Sequence, residues 1–98
     1  MNRLRERSLV SAGSIPSLPR HVRIQLDPVR KAYAVLSPEK VFWPNEISLD
    51  ILRRCDGRAS VSEIVTGLAC EYDARAEDIS EDVVAFLQEW ADKLLVKL

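Results

Sequence analysis

One histidine, two cysteines and three scattered glycines are a thin supply of the residue types from which most active sites are built. His21 has no orienting partner nearby in the chain, so it reads as a solvated loop residue rather than a general base. Cys55 and Cys70 show no CxxC spacing, which excludes a zinc pattern. Two free thiols suit a reducing cytoplasm. Cys55 stands before Asp56-Gly57 at a helix end, where the dipole disfavours a thiolate, so packing is its expected role. Gly13, Gly57 and Gly67 are too far apart for a phosphate-binding loop. No apolar run approaches the ~18 residues of a membrane span, and the N-terminus lacks the apolar core of a secretory signal. No metal, no cofactor, no membrane and no catalysis are therefore expected.

What is present is charge sorted along the chain. Residues 1–31 carry seven Arg and Lys against Glu6 and Asp27. Residues 45–92 carry twelve Asp and Glu against Arg53, Arg54, Arg58 and Arg75. The first 20 residues mix Ser, Gly, Pro and Arg, and predict a flexible tail; residues 21–98 predict one domain.

Hydrophobic periodicity divides that domain in two. Val22, Ile24 and Leu26 alternate with Arg23 and Gln25, as a half-buried strand does. A second strand follows around Tyr33 and Val35, and a third in "KVFW", with turns at Asp27-Pro28 and Ser37-Pro38-Glu39. After Pro44 the period lengthens to 3.6. Asn45 is the predicted N-cap of a first helix bearing Ile47, Ile51, Leu52 and Cys55. Ser60 and Glu63 form a capping-box pattern opening a second, with Val61, Ile64, Val65, Leu68, Ala69 and Tyr72 as its stripe. A third, from near Glu77 to about Lys93, carries Ile79, Val83, Phe86, Leu87, Trp90 and Leu94. The fold class is α+β: a three-stranded antiparallel meander followed by a three-helix bundle, like a winged helix-turn-helix.

That likeness raises nucleic-acid binding, or a transcriptional accessory role, as one function class. The third helix argues against it: Glu77, Asp78, Glu81, Asp82, Glu89 and Asp92 face Lys93 alone, and DNA phosphates would repel them.

The other class follows from a resemblance. "LSPE" at 36–39, "ILRRCDG" at 51–57, the following "SVSEIV" and "DVVAFLQEWADKLLV" resemble the PqqD family of pyrroloquinoline quinone biosynthesis. The resemblance spans roughly His21 to Leu98. Family members commonly show Gly-Leu where Lys93-Leu94-Leu95 stands, and the first 20 residues are unmatched. The resemblance implies a RiPP recognition element: a peptide chaperone that binds the precursor peptide PqqA and presents it to the radical S-adenosylmethionine enzyme PqqE. It further implies that the peptide adds as a strand beside Lys40, Val41, Phe42 and Trp43. The wall of that groove would come from Asp82, Val83, Phe86, Leu87 and Trp90 of the third helix. Edge addition suits the residues themselves, because a short strand closed by Pro44 leaves backbone groups for another chain.

Overall fold

A computed structural model describes residues 8–98. Strands β1 (Arg23–Asp27), β2 (Ala32–Leu36) and β3 (Val41–Phe42) form one antiparallel sheet in the order β1-β2-β3. Helices α1 (Glu46–Arg53), α2 (Val61–Glu71) and α3 (Ala76–Asp92) follow. The α+β architecture is that expected, and the winged-helix comparison describes its shape only.

The turns are specified locally. At the β1–β2 turn Asp27 Oδ1 accepts the amides of Val29 (2.9 Å) and Arg30 (3.2 Å), and Lys31 takes φ 55° while its amide bonds Asp27 O. At the β2–β3 turn Ser37 N donates to Lys40 O (2.9 Å), and Ser37 Oγ accepts from Lys40 N (3.2 Å). Register then pairs Ile24 with Val35 and Val35 with Phe42, so these three side chains share one face. Helices cover that face. Leu26, predicted to join it, is 46% exposed, because its row lies at the far end of the sheet.

The helices are capped where the sequence predicts. Asn45 accepts the Ser48 amide at 2.8 Å, and Ser60 and Glu63 complete both halves of the capping box. Leu52, Ile64, Leu68, Val83 and Leu87 are fully buried and meet Val35 of the sheet in one core. Each such side chain contributes roughly 1.5–3 kcal/mol by leaving water. Cys55 is buried there too, its Sγ donating to Ile51 O. Burial, then the adjacent Asp56 carboxylate, pushes its thiol up to about 12. Cys70 is exposed, and both cysteines are free.

Two further findings depart from expectation. Leu94 does not continue the α3 stripe. It is 55% exposed with φ 64°, reversing the chain so that Leu95 and Val96 re-enter the core.

The other departure concerns the predicted flexible tail. Residues 1–7 of it lie outside the described residues, whereas residues 8–20 are bound along the helices. Ser14 O and Ala12 O accept the amides of Val61 and Ser62, and Pro16 O accepts that of Gly57. Ser17 and Lys97 exchange both backbone bonds, at 2.7 and 2.8 Å. Pro16 is fully buried, and Val10 and Leu18 pack on the core. The physical reason is that α2 begins with amides that no residue of its own helix can satisfy, and residues 8–20, a strap across the helices, meet two of them with the carbonyls of Ser14 and Ala12.

Candidate functional site

The site is built around β3, which among the described residues has a neighbouring strand on one side only. Because Ser37 N bonds Lys40 O and Val35 pairs with Phe42, the amide and carbonyl of Phe42 face β2. Adjacent residues alternate in direction, so those of Val41 face away from the sheet; Trp43, just past the end of β3, has its side chain on the same face as Val41, which continues the alternation. Lys40 is different. Its amide and carbonyl are both occupied within the turn, so the usable edge is shorter than the four residues first considered. Pro44 ends it.

Side chains from β3 go to both faces. Phe42 points at α3, where its ring lies 5.3 Å from that of Trp90, and Trp90 stacks on Phe86 at 5.1 Å. Three rings thus connect the strand to the helix. Trp90 is buried, while Phe42 and Phe86 are half-buried and open beside the free edge. Asp82, one turn before Phe86 on α3, is exposed. It borders an apolar cavity of about 210 Å³ lined by Ile47 and Ile51 of α1, Leu68 and Tyr72, and Ile79 and Val83 of α3. Val83 and Leu87 are 1% and 0% exposed, so their side chains belong to the core rather than to any open wall. The stripe on α3 therefore divides: Val83 and Leu87 face inward, while Phe86 sits at its margin.

On the opposite face, Val41 and Trp43 are 53% and 43% exposed, beside Leu36 and Ala34. Among the described residues no helix lines the concavity on this face. Arg30, from the β1–β2 turn, stacks over Trp43 at 4.5 Å from the ring centre. Arg30 was not legible as a site residue, because nothing in the sequence brings a turn residue onto a strand two elements away. Ile47 and Ile79 were legible as apolar helix positions, but not as the lining of a cavity.

Away from β3, polar contacts look structural. Arg54 joins Asp50 and Glu71, and Tyr72 Oη donates to Asp50 at 2.9 Å, tying α1 to α2. That bond raises the Tyr72 pKa. Among the described residues His21 has one hydrogen-bond partner, the carbonyl of Leu94, at 3.2 Å.

Comparison with known proteins decides the family. Residues 32–96 match the family model described as coenzyme PQQ synthesis protein D (PqqD). The chain belongs to the PqqD family. A relative from Rhodopseudomonas palustris (strain BisB5), named PqqA binding protein, is 46% identical over 84 residues, covering 86% of this chain and 82% of the relative. One of the same name from Xanthomonas campestris pv. campestris (strain B100) is 37% identical over 91 residues, 93% of this chain and 99% of that one. Among solved structures, the PqqD truncation of Methylobacterium extorquens PqqCD superposes with a TM-score of 0.77 at 34% identity, covering 91% and 95% of the two chains. It is described as a functional, stand-alone RiPP recognition element. PqqD from Xanthomonas campestris gives 0.58 at 36% identity, covering 91% and 99%.

Proposed function

We propose that this PqqD-family chain is a non-catalytic peptide chaperone of the cytoplasm. It binds a PqqA-type precursor peptide as a fourth strand along the open side of β3, and holds it for a radical S-adenosylmethionine enzyme of the PqqE kind. The observation that carries this reading is the unpaired edge at Val41 beside the rings of Phe42, Phe86 and Trp90. The relatives' name, PqqA binding protein, supports the identity of the peptide.

Magnitudes say what the edge does by itself. Val41 and Trp43 offer two outward amides and two outward carbonyls. At roughly 1 kcal/mol net for each bond, backbone pairing supplies about 4 kcal/mol. Micromolar binding needs about 8 kcal/mol. Side-chain contacts must contribute the rest, and the partly open rings of Phe42 and Phe86 are the apolar surface next to the edge.

The test is calorimetric titration of PqqA peptide into the parent and Val41→Pro. Proline removes the outward amide and leaves the β2 pairing intact. Loss of binding in a variant that still melts cooperatively supports strand addition; parental affinity in that variant rejects it. Nucleic-acid binding has little to stand on, since Glu77, Asp78, Glu81 and Asp82 are all exposed at the start of α3.

A further inference from the structure

We propose that Arg30 and Trp43 form a subsite on the outer face of the sheet that selects a carboxylate side chain of the bound peptide. The proposal rests on strand addition at β3 and specifies what the added strand must carry. A strand's side chains alternate between faces. A peptide residue opposite Phe42 points toward α3, while its two neighbours point outward, beside Val41 and Trp43. The outer face there consists of Ala34, Leu36, Val41 and Trp43, around a concavity of about 280 Å³ that also touches Gln25, Leu26, Asp27 and Pro28.

Charge at this face points to an acidic group. The Arg30 guanidinium lies 4.5 Å from the centre of the Trp43 ring, and among the described residues it pairs with no carboxylate. Asp27 is the nearby anion, but its Oδ1 is engaged by the amides of Val29 and Arg30. Arg30 is thus held by an aromatic ring with its N–H donors unclaimed, an arrangement suited to a carboxylate. Arg23, the other cation on this face, does not compete for the role. It lies on β1, three strand spacings from an added strand, or roughly 14 Å.

The experiment is a double-mutant cycle read by calorimetry, with PqqA peptide as the probe. Each Asp and Glu of the peptide is replaced in turn by Asn or Gln. Each peptide is titrated into the parent, Arg30→Gln and Val41→Pro, and a thermal melt verifies each variant's fold. One peptide carboxylate is expected to matter about three- to fivefold in the parent and not at all in Arg30→Gln, as a partly exposed ion pair does. The difference should shrink in about 0.5 M salt. If no peptide carboxylate couples to Arg30 while Val41→Pro abolishes binding, the subsite is wrong and strand addition stands. If Val41→Pro binds like the parent, both are wrong.

Discussion

At Leu94 a branched side chain occupies φ 64°, a conformation that costs an L-residue roughly 1 kcal/mol and glycine almost nothing. Its side chain is more than half exposed, so little packing repays that strain. Leu94→Gly is therefore expected to raise stability by at most about 0.5 kcal/mol in urea unfolding, because glycine's freer unfolded chain offsets much of the relieved strain. The resemblance marked only the segment, since family members commonly show Gly-Leu where Lys93-Leu94-Leu95 stands. The left-handed turn was nevertheless invisible, because a leucine gives no sign of it. The cysteines give a second residue-scale expectation. Cys70 should react with an alkylating reagent in the native protein, while Cys55, buried and with its thiol pushed up to about 12, should react only through unfolding. Between the ordinary value of 9.0 and about 12, the unfolded chain gives up this proton while the folded chain keeps it. Stability should therefore fall as pH rises through that window. Mass spectrometry of timed labelling checks the reactivity, and melts at increasing pH check the sign.

Among the elements, β3 and the strap before β1 separate what patterning makes legible from what it does not. The helices were readable because caps and stripes are local: Asn45, Ser60 and Glu63 announce themselves within four residues. The run Val41–Trp43 was readable as a strand, yet its hydrogen-bond direction depends on Ser37 and Lys40 across the turn. That direction separates two prolines. Phe42→Pro deletes an amide bonded to β2 together with a ring against Trp90, and should lower stability by ~3–5 kcal/mol in a circular-dichroism melt. Val41→Pro should stay folded. The strap was illegible for another reason. Its Ser, Gly and Pro content reads as loop, and nothing local tells that its carbonyls meet Val61, Ser62 and Gly57. A chain beginning at Ser8 serves as the reference melt. Removing 1–19 deletes buried Pro16 and several backbone bonds, and should cost roughly 2–4 kcal/mol. For a domain of this size that is on the order of 10 °C in melting temperature. Equal melts for the two truncations would mean the strap contributes nothing.

For the whole molecule, the layout assigns each face a different condition. Helices cover one face of the sheet and the strap binds the helices; among the described residues β1 and β3 are both edge strands, and it is the edge of β3 that lies beside the half-open rings of Phe42 and Phe86. Among the described residues no helix is long and apolar enough to cross a membrane, and the acidic start of α3 is turned to solvent. An added peptide strand fits that distribution, because backbone pairing is indifferent to the protein's net charge of −1. The most direct measurement is an amide-detected NMR titration of the isotope-labelled chain with PqqA peptide, followed by hydrogen exchange of the complex. The amides of Val41 and Trp43 should shift most and become protected from exchange, while that of Phe42, already bonded to β2, should change its protection little. Tight binding that leaves the Val41 and Trp43 amides exchanging as in the free protein would contradict strand addition at β3.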